Sequence, residues 1–148
     1  GTGTLTLNKA HDYTGATKVN QGTLVIAGSI DSSVIEVADG GTLELNNANA
    51  LQSGVAVYLE YGATLFLGAN SGEIITFNAL FVNGTQVAAG TYADNDPIWN
   101  EIFTNDNVEI YANSNVTLVI AIPEPSTYAL MGGVGLLGMI LLRRRKRL

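Results

Sequence analysis

Gly22-Thr23-Leu24-Val25-Ile26 is the stretch that decides the fold, because variants of it recur along the first half of the chain. The pattern returns at residues 3–7, 41–45 and 62–67, and successive first leucines lie 19, 19 and 22 residues apart. Periods of this length are typical of solenoids. Within each unit apolar and polar residues alternate, which indicates a β-strand and not a helix.

A second strand precedes each later repeat, at residues 17–19, 34–37 and 55–59. Two short strands and their turns in roughly 20 residues fit one coil of a parallel β-helix, in which each strand pairs with the coils above and below it. We therefore predict an all-β fold, a right-handed parallel β-helix over residues 1–79.

The repeated leucines predict the interior of this solenoid. Two apolar ladders should form at the roughly 4.8 Å spacing of paired strands, and they set the register because each buried aliphatic side chain contributes about 1.5–3 kcal/mol. A glycine before each Thr-Leu pair should turn the corner, where a positive φ is accessible to it. The ladders are Leu5, Leu24, Leu43 and Leu65, and Leu7, Ile26, Leu45 and Leu67.

From Leu80 onward the Gly-Thr-Leu repeat no longer recurs. Asn83-Gly84 lies between two short apolar runs and predicts a hairpin turn, because both residues accept positive φ. We interpret residues 80–122 as a β-rich cap with Trp99 and Phe103 in its core, since a solenoid end exposes apolar surface and strand edges.

The last 26 residues have a different character. Pro123 and Pro125 hold the chain extended around Glu124 and before Ser126. Residues 127–142 are uncharged and apolar, long enough as a helix for a minimal transmembrane span. Five cations follow and should keep the C-terminus cytoplasmic by the positive-inside rule. These cations are Arg143, Arg144, Arg145, Lys146 and Arg147.

Together, residues 123–148 resemble the PEP-CTERM sorting signal of Gram-negative bacteria. The resemblance implies a sorting and cleavage motif at Pro123, Glu124, Pro125 and Ser126. It implies recognition by exosortase, a membrane-embedded processing enzyme, and transfer from the inner membrane to the cell surface or extracellular matrix. It also implies an association with exopolysaccharide and biofilm.

Residues 1–28 resemble a second family, the autotransporter-associated β-strand repeat. The resemblance rests on the Gly-Thr-Leu-Thr-Leu stretch at residues 3–7 and on residues 12–17 and 19–26. This family occurs in passenger domains of surface adhesins, which agrees with the export that the tail implies.

Composition excludes some functions. There is no cysteine, so no disulfide, thiolate chemistry or cysteine metal site is available. Before Pro123, Lys9 and Lys18 stand against 12 acidic residues, a formal charge of 2 minus 12, or −10, which disfavours nucleic acid. The chain begins at Gly1 without a secretory leader, so we expect it to be the C-terminal part of a longer exported array.

Candidate catalytic and metal-binding residues are few. Stacking the repeats places Glu44 between Val25 and Phe66, without an acidic partner, and Glu36 between Lys18 and Tyr58 as an exposed ion pair. His11-Asp12 is typical of a turn. Asp94-Asn95-Asp96 lacks the turn glycine and later glutamate of a calcium loop. We expect no catalytic residue, metal ligand or cofactor.

Two functions remain open. One is a non-enzymatic, adhesin-like surface or matrix protein that spans the inner membrane once before processing. The other is the end of an extracellular β-helix enzyme acting on polysaccharide, with its active site upstream of Gly1. Upstream sequence would separate them, because clustered Asp, Arg or Lys at one coil position would favour the enzyme.

Overall fold

The computed structural model describes residues 1–52, 54–94 and 107–121. Its regular elements in these ranges are β-strands, and they stack into a β-solenoid of about four turns, which confirms the predicted all-β solenoid. The strands are β1 (Thr4–Leu7), β2 (Ala10–His11), β3 (Thr17–Val19), β4 (Gly22–Ile26), β5 (Ser29–Ile30), β6 (Val34–Val37), β7 (Gly41–Leu45), β8 (Ala56–Leu59), β9 (Thr64–Leu67), β10 (Ile74–Phe77), β11 (Ala79–Val82), β12 (Thr85–Gln86), β13 (Gly90–Ala93), β14 (Glu109–Ala112) and β15 (Thr117–Ile120).

The first sheet has the order β1-β4-β7-β9-β14, and every pair in it is parallel. Leu24 pairs with Leu43 and Leu43 with Leu65, so the predicted register is confirmed. The side chains of Leu43 and Leu65 are fully buried because apolar strands lie on both sides of them. Leu5 is in the same register but 60% exposed, because β1 is the outermost strand of this sheet in the described residues.

The second sheet is built from the strands that precede the repeats. Its order is β12-β11-β8-β6-β3, with parallel pairs throughout except for β11 and β12. Inward-pointing Ile35, Val57 and Leu80 are fully buried, while Glu36 and Tyr58 alternate with them and point outward. Alternation of burial along each strand is the expected result for a sheet with one covered face.

A third side closes each coil, which the expectation of two strands per coil did not include. β2 pairs in parallel with β5, and a single bridge from Ile30 to Leu51 continues this side into the third coil. Farther along, β10, β15 and β13 form a three-stranded sheet. The third side keeps Ile30 and Ile75 buried, so it belongs to the same core.

Residues 79–94 and 107–121 combine parallel and antiparallel strand pairing. The predicted hairpin is confirmed: β11 and β12 are antiparallel, and Asn83 and Gly84 have φ of 48° and 78°. β14 and β15 return to the stack and pair in parallel with β9 and β10, while β13 runs antiparallel to β15. The boundary at residue 80 and the capping role stay predictions.

Several parts of the sequence interpretation lie outside the described residues. Trp99 and Phe103 of the predicted cap core are among them, and so is the predicted span at residues 127–142. In the ranges that the structure does describe, we find no helix with the length and apolar character to cross a membrane.

Ser32 is a polar residue with no exposed surface, although the residues that it bonds are exposed or half-buried. Its Oγ lies 2.7 Å from the carbonyl oxygen of Gly15 and 2.9 Å from that of Val34, either of which can accept its proton. The hydroxyl of Thr17 donates to the same Oγ at 2.9 Å. The serine therefore links the first coil to the second.

We expect Ser32→Ala to lower the free energy of unfolding by about 0.5–1.5 kcal/mol, because it removes hydrogen bonds that join the first two coils. Urea unfolding followed by circular dichroism measures the change. Ser33→Ala is the matched control, since the Ser33 hydroxyl is exposed and bonds the Thr14 carbonyl at 3.3 Å. It should change stability by less than about 0.5 kcal/mol. Equal effects of the two variants would contradict the role of Ser32.

Candidate functional site

The predicted sorting motif, Pro123, Glu124, Pro125 and Ser126, and the basic block at residues 143–147 lie outside the described residues. The structure does describe the strand to which they are attached. β15 ends at Ile120, and the amide of Ala121 donates to the carbonyl of Phe77 at 2.8 Å. The sorting segment therefore follows directly from a strand that is part of the solenoid.

β15 is the central strand of its sheet. It pairs in parallel with β10 on one side and antiparallel with β13 on the other. Leu118 and Ile120 are almost fully buried in the common core. The sorting motif alone did not indicate this, although residues 117–121 repeat the Thr-Leu-Val-Ile-Ala sequence of residues 23–27 without the glycine before it.

The outer face of the first sheet carries two columns of side chains in register. One column begins with hydroxyl groups and the other becomes aromatic toward β14, where Tyr111 is 52% exposed. A hydrogen bond to the Glu109 carboxylate raises the pKa of the Tyr111 hydroxyl above its usual value. The columns are Thr4, Thr23, Thr42, Thr64 and Glu109, and Thr6, Val25, Glu44, Phe66 and Tyr111.

The outer face of the second sheet contains an ion pair and an aromatic stack. Lys18 Nζ lies 2.6 Å from Glu36 Oε2, and the hydrogen bond to this carboxylate raises the pKa of Lys18. The rings of Tyr58 and Phe81 stack with centroids 4.5 Å apart and planes inclined by 2°. The ion pair confirms the predicted neighbours. Phe81 was missed because residues 79–82 were not assigned to the repeat.

The fold does not bring the other candidate catalytic and metal-binding residues together. Glu44 lies between Val25 and Phe66, as the repeats predicted, and neither neighbour is acidic. The backbone carbonyl of His11 accepts from the amide of Asp31 at 3.2 Å, and Asp94 Oδ2 accepts from the amide of Asn115 at 2.9 Å. Among the residues that the structure describes, no three acidic or histidine side chains converge as metal ligands.

Comparison with protein families gives two matches. Residues 1–26 match the passenger-associated-transport-repeat, and residues 121–146 match the PEP-CTERM protein-sorting motif. No curated protein and no solved structure matches the chain. The two family matches confirm both resemblances. The chain therefore combines a passenger-type repeat with a PEP-CTERM sorting motif, which indicates an exported protein that exosortase sorts.

Proposed function

We propose that this protein is a non-enzymatic, adhesin-like structural component of the bacterial cell surface or extracellular matrix, associated with exopolysaccharide and biofilm. The observation that carries the proposal is the sorting-motif match at residues 121–146, which begins where the last described strand of the β-solenoid ends. A rigid solenoid joined to a sorting signal suits a component that presents its outer faces to the surroundings.

The faces of the solenoid support a structural role. They present hydroxyl side chains in register, as the column of Thr23, Thr42 and Thr64 illustrates, and aromatic side chains in register at Phe66 and Tyr111. The glutamates that sequence stacking singled out are Glu36, which is neutralised by Lys18, and Glu44, which has no acidic neighbour in register. Acid–base catalysis on a polysaccharide needs two groups that converge on one bond.

The tail provides the proposed route to the surface. Residues 127–142 cross the inner membrane once, and the cations at residues 143–147 keep the C-terminus in the cytoplasm. Exosortase then recognises and cleaves the extended segment at Pro123, Glu124, Pro125 and Ser126. We also assign a right-handed winding to the solenoid, because parallel strand crossovers are right-handed in nearly all proteins. Residues 80–122 act as its cap.

Replacing Pro123, Glu124 and Pro125 together by alanine tests the sorting step in the native host. We expect the protein to disappear from the surface fraction and to accumulate uncut in the inner membrane, because the extended recognition segment is lost. Cell fractionation and immunoblotting with an antibody against the solenoid measure both populations.

Pro97→Ala with Glu101→Ala is the matched control, because it removes a proline and a glutamate outside the motif. Surface delivery should be unchanged in this variant. If the motif variant were also delivered normally, the tail would act as an ordinary membrane anchor. If the unaltered protein were found uncut and dissolved in the cytoplasm, export itself would be contradicted.

A further inference from the structure

The outer face of the first sheet carries two aromatic rings on neighbouring strands. Phe66 of β9 and Tyr111 of β14 are partners in register, so their Cα atoms lie at the roughly 4.8 Å spacing of paired strands. Tyr111 is 52% exposed and Phe66 is half-buried. Glu44 is in register beside Phe66, and Glu109 lies on the same strand as Tyr111. We call these four residues the aromatic platform.

Both rings of the platform lean along their own strands. A Cβ at Gly68, two residues after Phe66, would lie 3.1 Å from Phe66 Cε1, so this ring extends toward the end of β9. The Tyr111 hydroxyl bonds the carboxylate of Glu109, two residues before it on the same face, so this ring extends toward the start of β14. Because they lean in opposite directions, neither ring covers the faces of the other.

The aromatic rings of the second sheet are arranged differently. Tyr58 and Phe81 stack with centroids 4.5 Å apart and planes inclined by 2°, so each ring covers one face of the other. Lys18 and Glu36 complete the same column as an ion pair. In the part of the chain that the structure describes, this second column therefore lacks the uncovered rings and the uncompensated negative charge of the platform.

The charge of the platform decides what it attracts. Within the described strands, neither Glu44 nor Glu109 has a basic neighbour in register. Of the two lysines in these ranges, Lys18 is paired with Glu36 on the second sheet, and Lys9 lies between β1 and β2 in the first coil. The chain before the sorting motif has a formal charge of 2 minus 12, or −10, which attracts cations from a distance. Aromatic faces attract cations as well.

The extent of the platform favours an oligomeric ligand. Glu44 lies on β7 and Tyr111 on β14, with β9 between them, so the two positions are two strand spacings apart, about 10 Å. One sugar ring is shorter than this distance. A ligand that contacts both rings and both carboxylates must therefore extend across the strands, with apolar surface for the rings and positive charge for the carboxylates.

We propose that the aromatic platform binds an exopolysaccharide chain whose hexosamine residues carry free, protonated amino groups. The CH faces of the sugar rings pack on Tyr111 and Phe66, and the ammonium groups approach Glu44 and Glu109. Charge complementarity selects this polymer over a uronate polymer, which the platform would repel. The inference deepens the proposed function and rests on it for the exopolysaccharide partner.

Calorimetric titration of the full chain with a glucosamine hexamer tests the ligand class. The chain is purified in a non-ionic detergent without a sugar head group. We expect binding that weakens as the salt concentration rises, because salt screens exposed charges. The N-acetylated hexamer should bind at least about fivefold more weakly, since it has lost the charge that the carboxylates and ring faces attract. A hexuronate should not bind.

Two variants test the site. Tyr111→Ala should weaken binding of the glucosamine hexamer at least about fivefold, because it removes the more exposed ring. Glu44→Gln should also weaken binding and make it less sensitive to salt, because it removes one charge and keeps the shape. Tyr13→Ala is the matched control, since Tyr13 is 38% exposed but lies in the first coil, and it should bind as the unaltered chain does. Urea unfolding checks that all three variants are folded.

Several results would overturn the proposal. The unaltered chain might fail to bind the glucosamine hexamer, or both platform variants might bind it unchanged. Equal binding of the N-acetylated hexamer would remove the role of the amino groups, and equal binding of a lysine hexamer would show that the ligand need not be a sugar. Surface delivery of Tyr111→Ala in the native host should be normal. Failure of hexamer binding is therefore distinguishable from failure of sorting.

Discussion

Leu43→Ala should lower the free energy of unfolding by about 2–5 kcal/mol, the range for removing a buried leucine. Leu43 is fully buried, and its in-register neighbours, Leu24 and Leu65, sit on rigidly paired strands above and below it. Because backbone hydrogen bonds fix the separation of these strands, the coils cannot close around the lost volume. The cavity should therefore stay open, which places the cost toward the upper end of the range.

Glu44→Ala is the matched control on the same strand. Glu44 is the next residue, points outward between Val25 and Phe66, and is only partly buried. Its replacement should change stability by less than about 0.5 kcal/mol. Urea unfolding of both variants, followed by circular dichroism, measures the difference. Similar midpoints for the two variants would mean that the leucine ladder does not hold the coils together.

Gly28→Ala is the second large effect that we expect, at about 1–3 kcal/mol of destabilisation. An added Cβ would overlap the backbone of Lys9 in the first coil. The glycine cannot retreat toward the third coil, because Asn47 Nδ2 donates to the carbonyls of Ala27 and Gly28 at 2.8 and 3.0 Å. The first and second coils must therefore separate locally.

Gly15→Ala is the matched control for this substitution. A Cβ at Gly15 would meet nothing within 4 Å, and its backbone has no positive φ. Alanine at such a position should leave stability unchanged or raise it by about 0.4–1 kcal/mol, because it restricts the unfolded chain. The comparison uses the same urea titration. If the Gly28 variant were as stable as the Gly15 variant, the first and second coils could accommodate a Cβ at this corner without loss of stability.

The repeat predicted the two main sheets well, because the 19-residue spacing leaves one register in which leucines stack on leucines. The same alignment placed Glu36 beside Lys18. The third side escaped prediction, since β2 and β5 have two residues each and cannot display an alternating pattern. β14 and β15 were predicted as strands of the cap, but their parallel pairing with β9 and β10 was not, because they follow a long interruption and lack the glycine that opens the Gly-Thr-Leu repeat.

One functional feature could be predicted from the sequence, and one structural link could not. The sorting motif could be predicted because its chemistry is contiguous in sequence, from the prolines to the arginines. The interior link at Ser32 could not, because Asp31-Ser32-Ser33 has the composition of an exposed turn. Only the stacking of coils shows that Ser32 is buried and bonds Gly15 and Thr17 of the preceding coil.

The central position of β15 has a mechanical consequence. If the solenoid is held at the surface through the chain that follows Ala121, tension enters the fold through β15. β10 and β13 pair with it on both sides, so the hydrogen bonds of two ladders hold the strand that carries this load. A force from fluid flow would then have to break the hydrogen bonds of both ladders to release β15. This makes β15 a strong point of attachment.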